Sequence, residues 1–162
     1  MRIAIVADTH MPRGARRVPD ACVEAMRAAD LIIHAGDLSS AEVLGWLQSL
    51  GPPVHAVYGN VDSAGVRARL PEALLIDAGN FTLAVVHDAG PAKGRLARMR
   101  RRFPGADAVV FGHSHLPLHE SRDGFQIFNP GSPTERRRAP RHSFGIAETD
   151  GATLTMRHVW LG

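Results

Sequence analysis

A pair of histidines closes a short apolar stretch in the second half of the chain. His113 and His115 stand in the motif Gly112-His113-Ser114-His115, directly after the run 107–111, which has the pattern of a buried strand. Residues two positions apart in extended backbone point to the same side. Imidazole is a common metal ligand and a poor group to bury alone. The pair therefore predicts a metal site, provided that other segments supply further ligands.

Other metal-ligating side chains also stand just after apolar runs, namely Asp8, His10, Asp37, Asn60 and His87. Taken singly, each could be a turn residue, a cap or an ordinary core histidine. Because ligands of α/β sheets sit at the carboxyl ends of the strands, their recurrence at strand ends favours one shared site.

The remaining histidines belong to no such pattern and are interpreted as structural or surface residues: His34, His55, His119, His142 and His158. Of these, His34 is close enough to Asp37 to support the site from behind.

The seven candidate ligands offer carboxylate oxygen, amide oxygen and imidazole nitrogen, with no thiolate. This set suits borderline divalent ions better than Ca²⁺ or Cu(I). Seven ligands are too many for one four-coordinate zinc ion and fit two ions that share one carboxylate. We therefore expect two divalent metal ions as cofactors, Mn²⁺ first and Fe²⁺, Ni²⁺ or Zn²⁺ as alternatives.

The elements that must position these residues follow from apolar periodicity and turn signals. In the first half, these signals predict strands at 3–7, 31–34 and 54–57. They also predict helices at 20–29, 41–50 and 64–70, with Asp20 as the N-cap of the helix at 20–29. The second half predicts hairpins at 74–86, 117–129 and 143–160, a helix at 93–103 and the strand at 107–111. Parallel units early and antiparallel hairpins late indicate an α/β protein, a four-layer αββα sandwich of two mixed β-sheets, as one domain over 1–162.

The composition is that of an ordinary globular chain of 162 residues with a net charge of +3. The basic balance fits an anionic substrate such as a phosphate ester. Cys22 is the single cysteine, which excludes an internal disulfide. No signal segment and no apolar run of about 20 residues is present, so we expect a cytoplasmic protein without a membrane partner.

The ordered motifs Asp8-x-His10, Gly36-Asp37, Gly59-Asn60, His87 and Gly112-His113-Ser114-His115 resemble those of the calcineurin-like metallophosphoesterases. The segment Asn129-Pro130-Gly131-Ser132 is similar to the small single-domain phosphodiesterase branch, which also contains the scaffold subunit of the retromer coat. The resemblance spans nearly the whole chain and implies the same four-layer sandwich.

The resemblance also implies a division of the ligands between two ions. One ion would be held by Asp8, His10, Asp37 and His115, and the other by Asp37, Asn60, His87 and His113, with Asp37 bridging. A hydroxide between the ions would attack phosphorus in line with the departing oxygen. We expect Asp37, Asn60 and His113 to be the catalytic residues and a small phosphodiester, of aryl or nucleotide type, to be the substrate.

Two positions depart from the family pattern. The phosphoprotein phosphatases of this superfamily have histidine after the motif asparagine, where this chain has Val61, and relatives usually have glycine where it has Asp88. Because valine cannot protonate a leaving group, esters with good leaving groups, such as aryl phosphodiesters, should react best. Asp88 could orient His87 or add negative charge beside the metals.

Two other functions compete with the phosphodiesterase. A metal-binding scaffold for protein contacts, similar to the retromer subunit, would not need the full ligand set. A nuclease would use the arginines of the loops, which are Arg13, Arg16, Arg17, Arg136, Arg137 and Arg138. With only 6% aromatic residues the chain lacks stacking platforms, so we do not expect nucleic acid as a stable partner. Whether the chain forms a homo-oligomer is left open.

Overall fold

Ten strands and four helices follow one another in the order that the apolar runs predict. A computed structural model describes all residues, 1–162. The elements are β1 Arg2–Val6, α1 Asp20–Arg27, β2 Leu31–His34, α2 Ala41–Gln48, β3 Val54–Ala56, α3 Ala64–Arg67, β4 Ala73–Ala78, β5 Phe81–Val86, α4 Arg95–Arg102, β6 Ala108–Val110, β7 Leu118–Arg122, β8 Phe125–Asn129, β9 Ser143–Thr149 and β10 Leu154–Trp160.

The strands form two five-stranded sheets, and both are mixed. The first has the order β10-β9-β1-β2-β3, with β1, β2 and β3 parallel and β9 antiparallel to both of its neighbours. The second has the order β4-β5-β6-β8-β7, with β5, β6 and β8 parallel and an antiparallel strand at each edge. The predicted α/β class with two mixed sheets is confirmed.

Three apolar layers hold these elements together and explain why the central strands are apolar on both faces. Along β1, Ile3 and Ile5 point into the layer between the two sheets, whereas Ala4 and Val6 point toward α1 and α2. A third layer lies between the second sheet and α4, where Met99 packs. The order helix, sheet, sheet, helix is the predicted four-layer sandwich.

Two details of the helices and turns differ from or refine the sequence expectation. Asp20 is not the N-cap of α1, because Pro19 occupies that position with extended backbone and Asp20 falls in the first helical turn. There its carboxylate still lies near the positive end of the helix dipole. The turn between β7 and β8 has positive φ at Asp123 and Gly124, as expected for a two-residue type I′ hairpin.

The helices are short, and none combines the length and the apolar composition that crossing a bilayer would require.

The close approach of the two sheets at Gly145 generates a stability prediction. A Cβ atom on Gly145 would lie 2.5 Å from Cε1 of Phe128 and 3.2 Å from Cβ of Ile5. We expect Gly145→Ala to lower the free energy of unfolding by roughly 1–3 kcal/mol through overpacking, measured by urea denaturation.

Gly45, within α2, supplies the matched control, since nothing lies within 4 Å of a Cβ added there. Gly45→Ala should raise the free energy of unfolding by about 0.5–1 kcal/mol through helix propensity. Equal effects of the two alanines would contradict this packing of the sheets.

Candidate metal centre

The structure brings all seven predicted ligands to one place, where the carboxyl ends of both sheets meet. Asp8 and His10 follow β1, Asp37 follows β2 and Asn60 follows β3 in the first sheet; His87 follows β5, and His113 and His115 follow β6 in the second. Main-chain hydrogen bonds join neighbouring loops, from Asp8 N to Gly36 O at 3.0 Å and from His10 N to Asp37 O at 3.0 Å. The loops are therefore fixed relative to each other before any side chain is considered.

Asp8, His10 and His115 form one buried group whose ligand atoms all lie within 4.8 Å of one another. The Nε2 atoms of the two histidines are 3.2 Å apart, and Oδ1 of Asp8 lies 3.6 Å from Nε2 of His115. A carboxylate and two imidazoles at such distances are a suitable partial ligand set for a divalent transition metal.

A second buried group consists of Asp8, Asp37 and His87, again with ligand atoms within 4.8 Å. Oδ2 of Asp37 is 3.2 Å from Nε2 of His87 and 3.6 Å from Nε2 of His10. Asp37 thus lies between a histidine of each group, and Asp8 belongs to both.

Asn60 and His113 extend the second group toward the surface. Oδ1 of Asn60 lies 3.1 Å from Nε2 of His87 and 3.1 Å from Nδ1 of His113. The amide oxygen is therefore aimed at the same space as the imidazole nitrogens, and all seven side chains form one continuous cluster.

Hydrogen bonds on the side of the ring away from the cluster determine which imidazole nitrogens are free to bind a metal. His87 donates from Nδ1 to the carbonyl of Ala35 at 2.7 Å, and His115 donates from Nδ1 to the carbonyl of Glu135 at 2.6 Å. In a neutral ring, each bond places the proton on Nδ1 and leaves Nε2, which faces the cluster, free to bind a metal. Burial lowers the pKa of His115 to about 4, with the charge of Arg137 acting in the same direction, so its ring is neutral at pH 7.

The Asp8 carboxylate provides an independent test of whether a metal fits this cluster. Its side chain is fully buried, and its Oδ2 atom has no hydrogen-bond partner in the protein. Burial raises the pKa of Asp8 to about 8. No lysine or arginine pairs with it; histidines and Asp37 lie beside it. A buried carboxylate with one unpartnered oxygen, beside a second carboxylate and several imidazoles, is the donor set that a divalent cation satisfies.

The backbone of the histidine pair differs from the extended conformation that the sequence analysis assumed. β6 ends at Val110, and His113 and His115 have φ values of 70° and 60°. Asp8, His10 and Asp37 are also left-handed, with φ of 55°, 45° and 59°. The assumption of extended backbone was wrong because tight turns, and not strand continuation, aim these side chains. Such conformations each cost about 1–3 kcal/mol and concentrate at functional sites.

Two glycines leave the room that this arrangement needs. A Cβ atom on Gly59 would overlap the carboxylate of Asp37, and one on Gly112 would lie 2.9 Å from Oδ2 of Asp8. The glycine that precedes Asn60 and the one that precedes His113 are therefore required for close approach of the loops.

Sequence reasoning missed Asp62, which organises the loops that carry Asp37 and Asn60. Its buried carboxylate accepts hydrogen bonds from the backbone N–H groups of Asp37 at 3.0 Å, Ser39 at 2.6 Å and Gly59 at 2.7 Å. Asp62 stands one residue after Val61 and not at a strand end. A search for polar residues directly after apolar runs therefore does not identify it.

Further supporting contacts come from the segment 129–135 and from His34. Ser132 donates from Oγ to the carbonyl of Asp8 at 2.8 Å, and Asn129 donates from Nδ2 to the carbonyl of Gly112 at 2.9 Å. His34 is buried and bridges Thr9 and the N–H of Gly36. The expectation that His34 supports the site from behind agrees with these contacts, although it bonds to the loops and not to Asp37.

The loop arginines have different surroundings. Arg16 lies 3.4 Å from Oε2 of Glu135 and from the carbonyl of His10, and Arg136 donates to Ala139. Arg137 is exposed, has left-handed backbone with φ of 47°, and makes no hydrogen bond or ion pair in the protein. Its positive charge lowers the pKa values of Asp8, His10 and His115, as expected for a cation near the cluster.

Comparisons with known proteins agree with this geometry. A sequence model of the calcineurin-like phosphoesterase superfamily domain matches residues 1–152. A probable metallophosphoesterase of Methanothermobacter thermautotrophicus is 35% identical, with the alignment covering 85% of this chain and 80% of the relative. A phosphodiesterase of Methanocaldococcus jannaschii is 25% identical over 81% of this chain and 83% of its own. The crystal structure of Vps29 from Entamoeba histolytica, complexed with Zn²⁺, superposes with a TM-score of 0.82 at 25% identity, covering 98% of this chain and 91% of that one.

The role of Asp62 generates a prediction. Asp62→Ala leaves three backbone N–H groups without their acceptor, so the free energy of unfolding should fall by at least about 2 kcal/mol. Thermal and urea denaturation measure the loss. Asp77→Ala, at an exposed position of β4, is the control and should change stability by less than about 0.5 kcal/mol. An Asp62 variant as stable as the Asp77 variant would refute this role.

Proposed function

The chain belongs to the calcineurin-like phosphoesterase superfamily, and we propose that it is a phosphodiesterase that hydrolyses small phosphodiesters of aryl or nucleotide type. We further propose that it uses two divalent ions, with Mn²⁺ as the expected pair, and that residues 1–162 act as one domain. The name of the Methanocaldococcus jannaschii relative, a phosphodiesterase, supports this choice of substrate class.

The position of Asp37 is the observation that carries the proposal. Its Oδ2 atom lies 3.6 Å from Nε2 of His10 and 3.2 Å from Nε2 of His87, one histidine from each buried group. Two adjoining ligand sets with a carboxylate between them are what a two-ion site requires. In this proposal one ion is held by Asp8, His10, Asp37 and His115, and the other by Asp37, Asn60, His87 and His113.

Bound divalent ions supply charge neutralisation at a phosphoryl group and lower the pKa of water. The protein contributes orientation. Asn60 turns Oδ1 toward His87 and His113, and its Nδ2 is left to donate to a phosphoryl oxygen. His113, the only exposed histidine among the four candidate histidine ligands, lies on the same side of the site. Asp37, Asn60 and His113 are for this reason the proposed catalytic residues.

Val61 limits the range of esters that this site can cleave. Its backbone N–H donates to Oδ1 of Asp37 at 3.0 Å, while its side chain is 48% exposed and carries no proton to give. The departing oxygen leaves without a general acid at this position, so substrates with good leaving groups react fastest.

Protein binding is a second candidate function, favoured by the similarity to Vps29 and by one surface feature. A groove of about 480 Å³ runs between α1 and α2 and is lined in part by Val23, Val43 and Trp46. Manganese-loaded protein that binds metal and hydrolyses no aryl phosphodiester, aryl phosphomonoester, cyclic nucleotide or single-stranded DNA would favour this function.

A nuclease receives less support, because the basic helix α4 uses its arginines internally. Arg95 donates to the carbonyl of Gly90, and Arg98 donates to the carbonyls of Ala89 and Pro91. These guanidinium groups fix the loop before α4, so fewer of them are free to contact phosphates of a nucleic acid backbone.

The shared position of Asp37 makes it the decisive variant. Asp37→Ala should abolish both metal loading and turnover, since it removes the ligand that the two proposed ions share. Metal content by mass spectrometry and hydrolysis of bis(4-nitrophenyl) phosphate with Mn²⁺ measure the two effects. Asp77→Ala is the control with the same change of charge. Unchanged hydrolysis in the Asp37 variant would eliminate the two-ion proposal.

Arg137 is expected to contribute to substrate affinity. Its unpaired charge near Asp8, His10 and His115 can attract an anionic ester, so Arg137→Ala should raise KM by about three- to tenfold and change kcat by less. Arg138→Ala, also at an exposed position, is the matched control. If both alanines raise KM equally, the effect comes from net charge and not from the position of Arg137.

A further inference from the structure

A cleft of about 300 Å³ opens beside three of the proposed ligands, Asn60, His87 and His113. Its remaining walls include Tyr58, Arg67, Glu72, Val86 and Asp88. Any organic group attached to a phosphoryl group at these ligands would enter this space. The chemistry of the cleft walls therefore selects that group.

Asp88 presents an acceptor to the cleft. Its Oδ1 atom accepts the N–H of Gly90 at 2.7 Å, and its other oxygen has no partner in the protein. It does not orient His87, whose Nδ1 bonds to the carbonyl of Ala35. Since an ionised carboxylate only accepts hydrogen bonds, a ligand group beside Asp88 must donate one.

Arg67 presents a donor to the same cleft. Its Nε donates to the carbonyl of Asp62 at 3.2 Å, and its Nη2 donates to the carbonyls of Gly59 and Asn60 at 3.3 and 3.0 Å. Its guanidinium also lies over the ring of Tyr58, 4.9 Å from the centroid. Nη1 makes no hydrogen bond in the protein, so a ligand group beside it must accept one.

The charges in the cleft are balanced. Glu72 is paired with Arg102 at 3.8 Å, and the other two charged residues of the walls, Asp88 and Arg67, have opposite signs. A second phosphate would meet the carboxylates, and a cation would meet Arg67, so neither is favoured. The cleft suits an uncharged group that both donates and accepts hydrogen bonds, and a hydroxyl group is the simplest such group.

We propose that this cleft binds a hydroxyl-bearing organic group of the phosphoester, with Asp88 accepting a hydrogen bond from one hydroxyl and Arg67 donating one to another. The proposal rests on the proposed function and narrows its substrate class from small phosphodiesters in general to esters of polyhydroxy alcohols or sugars. Asp88 and Arg67 are then specificity-determining residues and not part of the hydrolytic machinery.

The test compares glycerol 1-phosphate with propyl phosphate, which lacks the two hydroxyl groups. Their inhibition constants are measured against hydrolysis of bis(4-nitrophenyl) phosphate by the manganese-loaded protein. We expect the inhibition constant of glycerol 1-phosphate to be lower by about tenfold, the contribution of one hydrogen bond to a charged group. Equal constants in the unmodified protein would overturn the proposal.

Variants of Asp88 test the residue itself. Asp88→Asn keeps an oxygen for the N–H of Gly90 and removes the charge, and Asp88→Ala removes the acceptor. In both, the tenfold preference should fall to about twofold or less, whereas Asp123→Asn, in the β7–β8 turn, should keep it. A preference that persists in both Asp88 variants would overturn the assignment of Asp88.

The cleft assignment can be tested separately from the proposed hydrolytic function. If the protein hydrolyses no ester, calorimetric titration of the manganese-loaded protein with the two phosphates replaces the inhibition constants. Tighter binding of glycerol 1-phosphate that depends on Asp88 would support the cleft assignment on its own, and equal binding would overturn it.

Discussion

Burial of charge at the junction of the two sheets is the constraint on which the rest of the structure depends. Asp8 and Asp37, with His10, His87 and His115 beside them, are withdrawn from water, and Oδ2 of Asp8 has no partner in the protein. Such a cluster is unfavourable unless cations and fixed hydrogen bonds compensate it. The loops at this end are accordingly joined by backbone and side-chain hydrogen bonds, three of which are accepted by Asp62. These hydrogen bonds thus hold the loops in place around a cluster whose burial lowers the stability of the fold.

The same cluster also joins the two sheets. His87, from the second sheet, donates to the carbonyl of Ala35 in the first, and the N–H of His113 donates to Oδ1 of Asp8 at 3.2 Å. Asn60 contacts His87 and His113 across the same boundary. Because every one of these contacts crosses between sheets, neither sheet contains the site alone. The packing of the apolar layer between them therefore sets the distances among the ligands, and a change in that layer reaches the centre.

The strands and their order could be predicted from the sequence because the signals are local. An apolar run indicates a strand covered on both faces, and Asp123-Gly124 identifies its hairpin without reference to the rest of the chain. The seven candidate ligands were found in the same way, as polar residues that follow such runs. What was missed depends on distant partners. The acceptor role of Asp62 toward Asp37 spans 25 residues, and the left-handed backbone of His113 and His115 arises from turns that periodicity does not describe.

Under the proposed function, the two departures from the family pattern lie at positions whose side chains do not hold the candidate ligands in place. At position 61 the backbone N–H, and not the side chain, holds Asp37, so valine leaves the ligands in place while removing a proton donor. At position 88 the side chain lines the cleft, and the orientation of His87 is set by the carbonyl of Ala35 and not by Asp88. In both cases the contact is made by a main-chain group: the N–H of residue 61, which every amino acid except proline provides, and the carbonyl of residue 35, which every amino acid provides. The adjacent side chains can therefore change the preferred ester without disturbing the ligands.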